Sequence, residues 1–165
     1  MTKGYKATHN YKCLNQIYEI GQEYKLDQKP IVCVKGFHYC KNSHDVLNYY
    51  AYTHKFKLLE IEDLSNDTIT DYDKSCSNHI RIVREITDEQ EIINLLGYYC
   101  SFNENGELIK LVSDTGYWIT NVYNKYGQLL KTEDSTGYLC EYTYDSFFGK
   151  FGKELTRIES YPNEM

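Results

Sequence analysis

Phe102, Tyr123 and Tyr144 stand 21 residues apart, and the same interval separates Gly106 from Gly127 and Gly116 from Gly137. Leu108 answers Leu129 and Lys110 answers Lys131 in the same frame. Ser113-Asp114-Thr115-Gly116-Tyr117 returns as Asp134-Ser135-Thr136-Gly137-Tyr138. Each copy reads aromatic, polar turn ending in Gly, strand, polar turn ending in Gly, strand. Asn105-Gly106 predicts a two-residue hairpin, because both residue types tolerate positive φ. Thr115-Gly116 and Thr136-Gly137 close the other turns. Leu108–Val112 and Tyr138–Tyr144 between them are rich in β-formers. A third copy begins at Tyr144-Asp145, is interrupted by Phe147-Phe148-Gly149-Lys150-Phe151, and resumes over residues 152–155. One hairpin buries too little to persist, so the copies are expected to pair into an antiparallel meander.

The first hundred residues lack this period. Gly4–His9 and Gln16–Ile20 read as short strands, with Gly21 as a turn. Pro30 and Gly36 bracket a third, Ile31-Val32-Cys33-Val34. Asn42-Ser43 offers a cap for a helix through Val46, Leu47 and Tyr50. Lys57–Glu62 alternates loosely, as an exposed strand would. His79–Ile86 is a clear strand, with Ile80 and Ile82 on one face and Arg81, Val83 and Glu85 on the other. Thr87 is the expected cap of a second helix, with Gln90 as capping-box partner, Ile92, Ile93, Leu95 and Leu96 as buried stripe, and Gly97 as its end. The mixture predicts an α+β protein. Its N-terminal α/β region carries short helices over 1–100, and a β-repeat region fills 101–165.

A chain of 165 residues can bury a sizeable core without covalent staples. No apolar run approaches the roughly 20 residues of a membrane span, and the start of the chain lacks an export signal. The expected setting is therefore the cytoplasm, with no membrane partner. There the six cysteines read as thiols and not as disulfides. The net charge is −6. Residues 1–100 carry 12 basic and 14 acidic side chains, and residues 101–165 carry 6 and 10. That balance argues against direct nucleic-acid binding, which needs clustered Lys and Arg. Tyrosine, with 18 copies, suits both half-buried strands and binding surfaces.

Cys33, His38, Cys40 and His44 are all permitted zinc ligands in close sequence. They lack the tight cysteine knuckle of common zinc sites, so the preferred reading is a core Cys33 and Cys40 with His38 hydrogen-bonded nearby, and zinc is the alternative. Cys13 or Cys40 beside a histidine would make a nucleophilic dyad, though no local signature surrounds either. Phosphate-loop, dinucleotide, zinc-protease, nucleophile-elbow and EF-hand patterns are absent.

Two stretches carry resemblances. Gly36-Phe37-His38-Tyr39-Cys40 followed by Leu47-Asn48-Tyr49-Tyr50, within residues 3–87, resembles an uncharacterised domain family of phages and bacteria. That resemblance implies a context and no chemistry. Tyr123-Asn124-Lys125-Tyr126-Gly127, Glu133–Tyr138 and Tyr144-Asp145-Ser146, within 102–161, resemble the tyrosine-aspartate repeats of Rhs-type proteins, which implies architecture. The strand, the Gly-Phe-His-Tyr block, the short helix and the strand with Glu60-Ile61-Glu62 are also similar in layout to ADP-ribosyltransferases. That likeness implies an enzyme using NAD through His9, Tyr39 and Glu60 or Glu62, or a degenerate relative of one.

The leading expectation is a non-enzymatic protein-binding module without a cofactor, of phage or mobile-element origin. Its expected partner is a host protein, in the specific version a defence nuclease inhibited in the manner of an anti-CRISPR protein. Tyr117, Trp118, Tyr126 and Tyr138 are the expected contacts, since aromatic side chains dominate interface hot spots.

Overall fold

The computed structural model describes residues 2–145 and 154–161. The chain divides into two compact units, Met1–Leu96 and Gly97–Met165. Among the described residues, no helix is long and apolar enough to cross a membrane.

The first unit is built on an antiparallel sheet in which β1 (Thr2–His9), β6 (Phe56–Asp63) and β9 (His79–Ile86) are the long strands. The sheet order is β3-β2-β1-β6-β9-β4, where β2 is Lys12–Cys13, β3 Gln16–Ile17 and β4 Glu23–Lys25. A three-stranded sheet, β5-β8-β7 (Phe37–Tyr39, Lys74–Ser77, Ile69–Asp71), belongs to the same unit. The register sets Lys6 opposite Leu59 and Ile61 opposite Ile82. Those residues share a face, because side chains alternate along each strand. Leu59, Ile61, Ile80 and Ile82 cluster there with Tyr18, Phe37 and Tyr39, all buried. The other face carries the cross-strand row Ala7, Leu58 and Ile86. Val46 of a 3-10 helix (Ser43–Asn48) and Ile92, Ile93 and Leu96 of α1 (Glu89–Leu96) are also buried. Ser43 Oγ donates to Leu95 O at 2.6 Å and joins the two helices.

The second unit is a six-stranded meander in which every strand pairs with its sequence neighbours. Its strands are β10 (Tyr98–Phe102), β11 (Leu108–Ser113), β12 (Trp118–Tyr123), β13 (Leu129–Asp134), β14 (Leu139–Tyr144) and β15 (Glu154–Ser160). The turns are closed by side chains. Asn103 Oδ1 accepts from Asn105 and Glu107 N–H, Asn124 Oδ1 from Tyr126 and Gln128 N–H, and Asp134 Oδ1 from Thr136 and Tyr138 N–H. Register shifts fall at Phe102, Tyr123 and Tyr144, the aromatic position of each copy. Among the described residues of this unit only Cys100, Thr132 and Cys140 are buried. The strands are otherwise mostly half-exposed on both faces.

Several expectations need correction. Over the described residues the protein is a mainly antiparallel β fold, 52% strand and 9% helix, and not α+β. The helix expected from Asn42 is a single 3-10 segment. α1 is capped by Asp88, whose Oδ1 accepts from Glu91 N–H at 2.8 Å, and not by Thr87. Ile31–Val34 is no strand. The chain reverses there through an Ile31–Lys35 bridge with Cys33 at φ 62°. Lys57–Glu62 belongs to a central strand covered on both faces, not an exposed one. Gly106 alone takes positive φ in its turn, where a two-residue hairpin would also need it at Asn105. The Phe147–Phe151 interruption lies outside the described residues.

Candidate functional site

β1 is bordered on one side by β6 and on the other by short partners. β2 meets it only at His9↔Lys12, and Cys40 bridges it at Tyr5. The ladder on that edge therefore skips Ala7, whose N–H and C=O point away from β6 by the alternation of antiparallel bonding. A pocket of about 290 Å³ opens here. It is lined from β1 (Tyr5, Lys6, Ala7), the β2–β3 hairpin (Cys13, Leu14), Cys33, β5 and its end (His38, Tyr39, Cys40), the 3-10 helix and its end (Val46, Tyr49, Tyr50) and Lys74 of β8.

Two cations and no carboxylate lie in that lining. Lys6 is 3% exposed. Its Nζ donates to His38 O at 2.7 Å and sits 4.8 Å from the centre of the Tyr18 ring. None of the ion pairs among the described residues includes it. Burial pulls its pKa below the ordinary lysine range, against the opposing influence of the Cys13 thiol. Thr8, the next inward residue on β1, keeps a buried Oγ1 without a partner among the described residues. β1 therefore carries two successive inward polar side chains, Lys6 opposite Leu59 and Thr8 opposite Lys57.

The remaining wall is polarised around these groups. His38 Nε2 accepts from Cys33 N–H at 2.9 Å, which leaves any ring proton on Nδ1. Burial, then Lys6 and Lys74, hold His38 below the usual imidazole range, so the ring is neutral at pH 7. Tyr50 OH donates to Cys13 Sγ at 2.7 Å. Burial pushes the Cys40 thiol up to about 11. Lys74 hydrogen-bonds Cys33, which raises its pKa, and lies 5.1 Å from the centre of the Tyr49 ring. The Tyr49 hydroxyl is tied to Asp73, as is Asn48. Two residues on the rim hold unfavourable backbone angles, Leu14 at φ 52° and Cys33 at φ 62°.

Residues 2–94 match the family described as a domain of unknown function, DUF7666. The chain belongs to this family. No curated protein matches it. The DUF7666 match spans almost all of the first unit, Met1–Leu96, so the pocket lies wholly inside the family domain and the meander outside it.

The sequence candidates fall in several places. Cys33, His38 and Cys40 line one pocket, and His44 lies in the 3-10 helix outside the lining. Among the described residues no group of three or more His, Cys, Asp or Glu side chains is arranged to hold a metal ion. The set His9, Tyr39, Glu60 and Glu62 is dispersed. His9 meets the Tyr50 ring edge-on at 5.4 Å, and its Nε2 lies 3.5 Å from Ala51 O. Tyr39 OH donates to the buried Asp63 at 2.8 Å. Glu60 is on the opposite face, held below the usual carboxylate range by Lys3 and then Arg84. Glu62 meets Arg81 at 3.2 Å.

The four aromatic candidates do not share one surface. Trp118 lies on the face of Val112 and Thr120. Tyr117 and Tyr138 reach across the opposite face, toward Asp134 and Glu159. Tyr126 sits in a turn at the other end of the strands. Lys6 and Lys74 line the pocket without a sequence motif around either, and Lys6 is distinguished by its burial between Tyr5 and Ala7.

Proposed function

We propose that the DUF7666 unit is a small-molecule-binding domain whose ligand seats against the β1 edge. The observation that carries this reading is a buried lysine without a carboxylate partner, facing a largely apolar pocket. Such a group costs stability that a methionine of similar size would not. At about 290 Å³ the pocket is at the small end of ligand sites, room for a single-ring or shorter molecule and not for a whole dinucleotide. Two cations and an unpaired stretch of strand favour an anionic, hydrogen-bonding ligand. The test is thermal unfolding of the full chain with benzoate, pyruvate, nicotinamide and NAD at saturating concentration. A ligand raises the midpoint in proportion to RT ln(1 + [L]/Kd). A rise for a small anion that is lost in Lys6→Met supports the site. Equal midpoints with every compound refute it for these classes.

The meander favours a second reading, that of a non-enzymatic protein-binding module from a phage or mobile element, with an inhibitor of a host nuclease as its specific form. Tyr117 and Tyr126 are 38% and 44% exposed, and neither sheet face is buried among the described residues. Alanine at Tyr117, Trp118, Tyr126 and Tyr138 would then abolish capture of a host protein, and unchanged capture would refute the contact set. For both readings we place the protein in the cytoplasm, where its six free cysteines are at home.

A further inference from the structure

We propose that Lys6 forms an imine with a small α-keto acid held in this pocket, with Lys74 receiving the carboxylate. The inference rests on the small-molecule reading above and specifies its ligand class. An amine is a useful nucleophile toward carbonyls when it is unprotonated, and desolvation beside a second cation is the usual way a fold achieves this. Lys6 is buried with no carboxylate to hold its proton, and Lys74 lines the same pocket. An acidic lining would repel a keto acid, and this lining has none. The gap in the ladder at Ala7 adds an N–H donor on the same wall.

The chemistry closes without a cofactor. The Nζ lone pair adds to the keto carbon, and the C=O π pair moves to oxygen. A proton passes from nitrogen to that oxygen, giving a carbinolamine. A second proton, drawn from the pocket wall, converts the hydroxyl into departing water, the nitrogen lone pair forms the C=N bond, and the iminium nitrogen then returns its remaining proton to the wall. The net change is amine plus ketone to imine plus water. Tyr50 and Cys13, hydrogen-bonded to each other, carry exchangeable protons on the same pocket wall.

The experiment incubates the full chain with pyruvate, reduces with borohydride and maps the adduct by mass spectrometry. One reduced pyruvate imine on Lys6 is expected, absent in Lys6→Met, whose fold is checked by circular dichroism. Lys74→Gln should raise the half-saturating pyruvate concentration about tenfold, the loss of one charge-assisted hydrogen bond, and should weaken labelling by neutral acetaldehyde less than labelling by pyruvate. Labelling spread over the exposed lysines, or unaffected by Lys6→Met, overturns the proposal. So does thermal stabilisation by pyruvate without any adduct, which leaves the pocket reading standing. Neither stabilisation nor adduct removes the keto-acid ligand altogether, and the pocket reading then depends on the other small anions tested above.

Discussion

Asp63 offers the sharpest test of how the first unit is held together. Its side chain ends β6 on the core face, 5% exposed, and takes part in no ion pair among the described residues. Four donors converge on the carboxylate. Ser77 OH reaches Oδ1 at 2.7 Å and Ser65 N–H reaches it at 3.0 Å, while Tyr39 OH reaches Oδ2 at 2.8 Å beside the Thr68 hydroxyl. Burial pushes the carboxyl pKa up, but the hydrogen bonds from Thr68, Ser77, Ser65 and Tyr39 outweigh it and hold the group below the usual range. Asp63→Asn keeps the shape and removes the charge. The amide oxygen can serve the Oδ1 side, where the Ser65 N–H cannot reverse. The NH₂ then faces two hydroxyls, of which one must turn and accept. All four bonds lose charge assistance, worth up to about 1 kcal/mol each, and at least one is broken or inverted, so the expected loss is about 3 kcal/mol at pH 7.

The linkage has a definite sign. A depressed carboxylate stabilises the fold above its unfolded pKa, about 3.9, and that contribution vanishes as pH falls through the lower folded value. Urea unfolding followed by tyrosine near-UV circular dichroism should therefore show a gap between parent and Asp63→Asn that is widest at pH 6–7 and closes in acid. Tyr39→Phe should couple with it, because each variant removes the other's partner. A gap below about 1 kcal/mol at neutral pH, or one that persists unchanged in acid, would refute the account.

Lys6→Met should leave the fold intact and flatten its alkaline response. The parent carries a penalty for the buried ammonium at low pH that lifts between the lowered folded pKa and about 10.4, so its stability rises over that window and the variant's does not. Gly36→Ala should destabilise by about 2–3 kcal/mol in urea titrations, because φ is +133° and a Cβ would stand 2.4 Å from Cys76 Sγ and 3.0 Å from Ser77 O. Cys33, the exposed thiol of the six, should react first with a disulfide reagent, with Cys76 and Cys140 reacting only on unfolding. Leu14→Gly should raise the unfolding free energy by about 0.5–1 kcal/mol by relieving a left-handed backbone, since Leu14 is 87% exposed and contributes little packing.

The repeat was legible because its glycines are irreplaceable where they stand. Gly106, Gly116, Gly127 and Gly137 all lie at φ between 82° and 85°, and an L residue there is strained. The first unit was harder to read. β6 presents Leu59, Ile61 and Asp63 to one covered face and Leu58 and Glu60 to another, which erases the polar alternation of a half-exposed strand. Ile31-Val32-Cys33-Val34 has strand composition, yet Ile31 and Val34 are exposed and the chain turns back at Cys33. Local composition cannot foresee that reversal. The pocket was half visible. Cys33, His38 and Cys40 stood out as ligand types and do meet on one wall. Lys6 did not, because the inward phase of β1 is set by its register with β6 and by nothing within Thr2–His9.

Among the described residues positive φ occurs at five non-glycine positions, and most of them have local reasons. Asn10 and Tyr11 form the turn between β1 and β2, where hairpin geometry calls for left-handed residues. Tyr72 does the same between β7 and β8. Leu14 holds the same place between β2 and β3, and only Cys33 lies outside a two-residue hairpin turn. Each places a side chain with no preference for that conformation on the lip of the pocket, one an exposed Leu where a hairpin favours Gly, the other a thiol beside Lys74. Behind them stand a buried amine without a counter-ion and a gap in the β1 ladder. Any one of these departures has a structural explanation on its own. Their convergence on about 290 Å³ within the family domain is what the proposed binding role would account for. The meander shows no comparable concentration, since its side-chain-capped turns and regular bulges satisfy local rules copy after copy. The pocket is therefore where loss of function should separate from loss of fold.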